Sequence, residues 1–340
     1  MAKPKTSIIS NIIVERLEKK GAFKISWETE TKDVSVSIFA GESPLTINRK
    51  SPGVNVKGAK YAEIAGLAPG ARNYFEIFPE GGKSIIVAER HVNFEGIVNF
   101  RDLGGYETAD AQRVKWGQVF RSGHLARATE KDRSLLRRMG IKLICDFRTP
   151  GEIKAQPDWL PEDGSIKYLQ MPIVHGEFDP VVAMQSLQKG DISWLTENFM
   201  IDRYIKKIDD FPEIWCEFFQ HLSDPQNRPL VFHCTAGKDR AGACAALVLL
   251  ALGVPEKTVI YDHGLSNIYI ADALKMINER ITAMGIDPEK VAPYFTAPRN
   301  AIVAFVNHIR RAYGSATDYL KNKAGLSNKT LTLLKEELLD

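Results

Sequence analysis

Along the first ninety residues, apolar and polar positions alternate in short runs. Phe23, Ile25 and Trp27 are separated by Lys24 and Ser26, and Val34, Val36 and Ile38 by Ser35 and Ser37. Period two puts every second side chain on one face, so both runs predict half-buried strands. Further short runs at Tyr61–Ile64, Tyr74–Phe78 and Ser84–Val87 are separated by Pro52-Gly53, Pro69-Gly70 and Gly81-Gly82 breakers. Several short strands at this spacing predict a small all-β sandwich over residues 1–90.

From about residue 91 the period changes. IKLICDF (141–147) and PLVFHC (229–234) are continuous β-rich runs, as expected of strands buried on both faces. Ile201, Tyr204, Ile205 and Ile208 keep the i, i+3, i+4, i+7 spacing of an amphipathic helix, as do Phe211, Ile214, Trp215 and Phe218. Pro212 suits the first turn of the second of these. Ile302, Phe305, Val306 and Ile309 predict another helix, closed by Gly314. Strands alternating with long helices predict an α/β domain with a mainly parallel sheet over 91–340. Functional groups should then gather where strands end in loops.

The stretch VFHCTAGKDRAGACAALVLL (231–250) is such a place. A buried strand ends at His233, an apolar helix runs over Ala241–Leu252 to Gly253, and Cys234, Thr235, Ala236, Gly237, Lys238, Asp239 and Arg240 lie between. The helix N-terminus favours an anion. Gly237 permits close approach of the backbone, and Arg240 offers a planar fork for two phosphate oxygens. The same positive field favours the thiolate of Cys234. A bound phosphate would face a nucleophile, and in-line attack would give a phosphocysteine intermediate. The substrate- and phosphate-binding set is therefore Thr235 to Arg240, with His233 supporting the loop.

Composition narrows the classes. The 340 residues are 44% hydrophobic and 26% charged, ordinary for a packed protein of two domains, and the net charge of +3 argues against general nucleic-acid binding. No run reaches the ~20 apolar residues of a membrane span, so no stable membrane insertion is expected. The N-terminus lacks an apolar signal core; the chain as given reads as cytoplasmic, or secreted if a signal was trimmed or is unconventional. Four cysteines at irregular spacing suit neither a disulfide scaffold nor a zinc site. Cys145, Cys216 and Cys244 read as packing residues in a reducing compartment. No cofactor and no metal are expected.

HCTAGKDRAG resembles the phosphate-binding signature of cysteine-dependent phosphatases, and most closely the bacterial tyrosine and lipid phosphatase group whose loops read HC-x-AGKDR. NFRDLGGY (99–106), VFRSGHL (119–125), the CDFRTPGE run (145–152) and the YDHGLSN run (261–267) also resemble that group. The resemblance covers roughly 91–340 and implies a cysteine-phosphatase fold with a helical lid insert, for which 177–222 is the candidate; core packing of its two amphipathic helices is the alternative. One departure stands out: Ala241 follows Arg240, where many such enzymes carry Ser or Thr to stabilise the leaving thiolate. Its absence should slow hydrolysis of the phosphocysteine. Upstream, GLAPGARNYFEI resembles the turn before a late strand of fibronectin type III domains, with Trp27 as the early tryptophan and Tyr74 one residue late. Its partner is unknown.

Cleavage of a phosphate ester also needs a proton for the leaving oxygen. Asp239 inside the loop and Asp146 at a strand end both qualify, and the balance leans to Asp146, because Lys238 and Arg240 flank Asp239 and should depress its pKa. Asp102 in NFRDLGG reads as a turn former. Arg148 and Glu152, four apart, could pair with each other or tie loops together, while Arg101 and Arg121 read as structural. Lys238, a second cation, suits a substrate with another phosphate nearby. The expected substrates are phosphotyrosine, phosphoserine or phosphothreonine proteins and phosphoinositides. The rivals are a phytase-like phosphatase and a non-enzymatic phospho-binding or adhesion protein.

Overall fold

The computed structural model describes residues 9–17, 21–29, 33–50, 53–174, 180–196 and 198–340. The chain divides into two compact units, Met1–Val92 and Asn93–Asp340. The first holds β1 (Ile9–Arg16), β2 (Phe23–Thr29), β3 (Ser35–Gly41), β4 (Val54–Lys57), β5 (Tyr61–Ile64), β6 (Tyr74–Pro79) and β7 (Ile85–Ala88). They form two antiparallel sheets, ordered β1-β2-β5 and β4-β3-β6-β7. The alternation places Phe23, Ile25 and Trp27 from one sheet in a common core with Val36, Ile38, Phe75 and Ile77 from the other. The period-two reading of this region thus becomes two packed sheets. It missed β4, and it missed β1, whose residues carry their apolar positions through a register shift between Ser10 and Ile13.

The second unit runs β8 (Arg101–Asp102), β9 (Val119–Ser122), α1 (Glu130–Arg138), β10 (Leu143–Asp146), α2 (Pro150–Ala155), β11 (Lys167–Gln170), α3 (Pro180–Gln188), α4 (Phe199–Asp209), α5 (Pro212–Ser223), β12 (Leu230–His233), α6 (Arg240–Ala251), α7 (Glu256–Tyr269), α8 (Ala271–Ala283), α9 (Pro288–Phe295), α10 (Arg299–His308), α11 (Ala316–Asp318) and α12 (Asn328–Leu338). Its five-stranded sheet is ordered β11-β10-β12-β9-β8; β11, β10, β12 and β9 are mutually parallel and β8 is antiparallel at the edge. Strand β12 lies at the centre with all four residues buried, so the loop leaving it emerges at the middle of the sheet's C-terminal edge.

Helix α6 is apolar all round because it is enclosed: eleven of its residues are buried. The amphipathic helices α4 and α5 place Met200, Tyr204, Ile208, Trp215, Phe218, Phe219 and Leu222 in this same core. Core packing, the alternative reading for this part of 177–222, accounts for their apolar stripes. Residues 177–179 lie outside the described residues. Helix α3 instead joins a separate cluster, Leu187 with Ile281, Ile286 and Val291 from the α8–α9 region. Among the described residues no helix is long and apolar enough to cross a membrane.

Candidate active site

Between β12 and α6 the backbone turns with Gly237 at φ +70°. A Cβ there would lie 2.5 Å from the carbonyl carbon and oxygen of Ser122, so only glycine fits. The carbonyls of the loop are each drawn outward. His124 N donates to Thr235 O at 3.2 Å, and Asn99 Nδ2 to Ala236 O at 3.0 Å. The Arg121 guanidinium donates to Gly237 O at 2.8 Å and to Lys238 O at 3.3 Å, while His233 Nδ1 lies 3.3 Å from Cys234 O. In a trans peptide the N–H points opposite the C=O. Five tethered carbonyls therefore turn the amides of residues 235–239 to the inner side, which is the geometry of an anion nest.

The tethers are anchored from below. Arg101 and Arg121, both fully buried, share the carboxylate of Asp262 on α7, at 3.3 and 2.7 Å. Tyr106 Oη donates to the same carboxylate at 3.0 Å, and Arg101 also donates to Ser266 Oγ. Burial opposes the charge of Arg101 and the neighbouring Arg121 does so too, lowering its pKa to about 10, yet Asp262 keeps it a cation at neutral pH. The structural reading of both arginines is the geometry observed. Asp102 also sits as a turn former, accepting from Gly104 N and Gly117 N at 2.8 Å each.

Arg240 begins α6 and is 4% exposed. Its two terminal nitrogens each donate at 2.7 Å to one oxygen of Glu152, a bidentate pair. Thr235 Oγ1 donates to Glu152 as well. Glu152 is the third helical residue of α2, inside a capping box with Thr149. Burial raises the Glu152 carboxyl, but Arg240, Thr235 and the Thr149 amide outweigh it and hold it at about 2. For Arg240 burial acts to remove the charge, and its hydrogen bonds and charge pairing with Glu152 more than offset it. Arg148 and Glu152 do not pair with each other. Arg148 binds Asp146 and Asp158, each at 2.7 Å, so both residues tie loops together.

Asp146, toward which the sequence leans as proton donor, has a different setting. Its carboxylate is fully buried and accepts from Arg148 Nε at 3.0 Å, Arg148 Nη2 at 2.7 Å and Tyr168 Oη at 2.6 Å. Burial would raise this carboxyl, but His233, Arg148 and Tyr168 keep it at about 2. It is an anion at neutral pH, and both of its oxygens already accept hydrogen bonds. His233 lies between Asp158, 3.0 Å from Nε2, and Asp146, 3.7 Å from Nδ1. Burial acts against its charge, but the two carboxylates raise its pKa above the ordinary value. His233, Asp146 and Asp158 could geometrically hold a cation; the Arg148 guanidinium already fills that role.

Asp239 is the carboxylate that belongs to the loop itself. Lys238 Nζ donates to its Oδ2 at 2.6 Å, and Tyr204 Oη to its Oδ1 at 2.9 Å. Burial raises the carboxyl, while Lys238, Lys207 and Tyr204 bring it below the ordinary range. Lys238 reaches on to the carbonyl of Tyr294 on α9 at 2.7 Å. Above it stand the mutually packed rings of Trp194, Phe199 and Tyr294. Cys234, 3% exposed, lies at the floor. Ala241 is fully buried and brings no hydroxyl. Burial pushes the Cys145 and Cys244 thiols up out of the reactive range, as packing residues require.

The arrangement can hold a tetrahedral dianion above a thiol, with an arginine, a lysine and a carboxyl group around it. Sequence reasoning missed Asn99, Tyr204, Asp262 and His263 as parts of it. The NFRDLGGY and YDHGLSN segments contain three of them, but nothing local to those segments says that they meet the loop.

Comparisons with known proteins agree with this geometry. Residues 92–340 match the model of the tyrosine phosphatase family. A protein of Cupriavidus necator, provisionally named a tyrosine-protein phosphatase, is 30% identical over 249 residues, covering 72% of this chain and 89% of that one. A tyrosine-protein phosphatase of Nostoc commune is 28% identical over 64% of this chain and 73% of its own length. The triple specificity protein phosphatase PtpB of Mycobacterium tuberculosis is 27% identical over 72% of this chain and 97% of its own. With a match of that extent to the family model, the chain belongs to the tyrosine phosphatase family and is a phosphatase.

Proposed function

We propose that this phosphatase works through a phosphocysteine on Cys234 and accepts phosphotyrosine, phosphoserine and phosphothreonine residues and phosphoinositides. The observation that supports the chemistry is the set of tied carbonyls of residues 234–238, whose peptides then present five consecutive amides on their opposite side, where a phosphate would be bound. Sγ attacks phosphorus as the P–O bond to the leaving group breaks. The inward amides and Arg240 take up the charge on the three equatorial oxygens. Water then attacks the phosphocysteine, the S–P bond breaks, and the thiolate returns.

Asp239, in place of Asp146, is the group that protonates the leaving oxygen and later takes a proton from the attacking water. Asp146 is spent on Arg148, Tyr168 and His233. Asp239 is at the loop and its main cationic partner is Lys238. An arriving phosphate dianion competes for Lys238 and adds negative charge beside Asp239, and both effects raise the carboxyl's pKa toward the protonated form. A lysine that can bind a second anion also favours headgroups with neighbouring phosphates. The breadth of substrates is in keeping with the triple specificity in the name of the mycobacterial relative. For the N-terminal unit we propose a fibronectin type III-like module; its division into three and four strands supports that reading.

Two measurements test the proposal together. Rapid denaturing quench after mixing with an aryl phosphate labelled at phosphorus should trap label on a peptide containing Cys234, with the acid lability of an S–P bond. A panel of phosphopeptides and phosphoinositides should each be turned over. Label on any other residue would overturn the mechanism, and turnover of one class alone would narrow the substrate reading to it.

A further inference from the structure

The YDHGLSN segment contributes more than the Asp262 anchor. Its next residue, His263, is 1% exposed and points from α7 at α4, where its Nε2 lies 2.7 Å from Tyr204 Oη. The hydroxyl of Tyr204, a fully buried residue, lies in turn 2.9 Å from Asp239 Oδ1. A tyrosine hydroxyl has one proton to give, and an ionised carboxylate can only accept. The proton therefore goes to Asp239, and His263 must present Nε2–H to the hydroxyl. Its Nδ1 has no hydrogen-bond partner among the described residues, which suits a bare lone pair better than a buried N–H.

We infer that Tyr204 and His263 are a positioning pair for Asp239: His263 fixes the Tyr204 hydroxyl, and that hydroxyl holds Oδ1, so that Oδ2, bound to Lys238 until a phosphate draws the lysine away, is the oxygen that carries the catalytic proton. The inference rests on the reading of Asp239 as the proton donor. Three features of the surroundings favour it. His263 stays uncharged, because burial and then Arg121 lower its pKa to about 3; it can serve as a fixed donor throughout the working pH range. Gly242 on α6 makes room for it, since a Cβ there would lie 3.1 Å from His263 Cδ2. Lys207 Nζ lies over the Tyr204 ring, 4.4 Å from its centroid, and packs it in place.

A donor to a carboxylate favours the ionised form, so removing it raises the carboxyl's pKa. The groups that face Asp239 are Lys238 beside it and Arg240 at the start of α6, Lys207 and Tyr204 on α4, Tyr294 on α9, and His263 through Tyr204. Only the Tyr204 donor is taken away by Tyr204→Phe. The experiment is the pH profile of kcat/KM on phenyl phosphate, whose poor leaving group makes the acid essential, for the full chain.

Asp239→Asn should abolish the basic limb. Tyr204→Phe should move that limb upward by roughly one pH unit and lower kcat, a shift expected for the loss of one charge-assisted hydrogen bond. His263→Leu should move it in the same direction, whereas His263→Gln, which keeps an N–H near Nε2, should restore it in part. In the Asp239→Asn background, Tyr204→Phe should have no further effect on the profile. An unmoved limb in Tyr204→Phe and His263→Leu, with Asp239→Asn still limb-free, overturns the positioning pair and leaves the reading of Asp239 intact. A basic limb that survives Asp239→Asn overturns that reading, and the pair with it.

Discussion

At the scale of single residues, the site is governed by where buried charges find partners. Asp146 and Asp239 have the same side chain, yet one is saturated by an arginine, a tyrosine and a histidine while the other accepts from one lysine and one tyrosine. Ala241 makes its contribution by omission. Without a hydroxyl beside the leaving sulfur, breakdown of the phosphocysteine should be slower than its formation, so a good aryl phosphate should give a pre-steady-state burst. Ala241→Ser should raise kcat by about tenfold, the worth of one hydrogen bond of about 1.4 kcal/mol, and shrink the burst. Stopped-flow absorbance reads both, and a wild-type progress curve without a burst would contradict the assignment. The loop's own residues were legible in the sequence because they are contiguous, from Cys234 through Arg240. Tyr204 was not, because the helical period reads its ring as one more apolar position and is blind to its hydroxyl. Glu152 was visible only as a charge four residues from Arg148; that its partner is Arg240 depends on how α2 meets α6.

At the scale of elements, the cradle is a strand end, a turn and a helix start whose shape is imposed from outside. Gly237 has to take φ +70° against the backbone of Ser122 and Gly123. Gly237→Ala should therefore displace the turn and lower kcat/KM by about a hundredfold, as misplacement of an aligned site does. Unchanged kcat/KM would mean that the turn does not hold the phosphate. Glu152 fastens the loop to α2, and its ionisation couples that fastening to pH. Its carboxyl falls from an ordinary 4.5 to about 2 on folding. A depressed pKa contributes stability that is complete above the unfolded value and is lost as pH falls toward the folded one. The melting temperature should thus drop between pH about 4.5 and about 2, and the drop should be shallower in Glu152→Gln. Equal slopes for the two proteins, by circular dichroism, would sink this account. Sequence periodicity located α4 and α5 but left open whether they cover the site or pack the core, because an apolar stripe is the same whether it faces a lid or the core.

At the scale of the whole molecule, each unit has its own core, and every side chain of the site described above belongs to Asn93–Asp340. The parallel sheet was legible as an alternation of apolar runs and helical periods, and the two-sheet unit as period-two runs between Pro-Gly and Gly-Gly breakers. What the sequence could not convey was the gathering of Asn99, Arg121, Glu152, Tyr204, Asp262 and His263 around one loop, since strand order and helix packing bring them from five separate segments. Such convergence on a single cysteine makes one measurement decisive: turnover of para-nitrophenyl phosphate in EDTA and reductant by wild type and by Cys234→Ser. The account predicts steady metal-free hydrolysis by the wild type and loss of it in a folded Cys234→Ser protein. Undiminished hydrolysis by Cys234→Ser, or none by folded wild type, would contradict it.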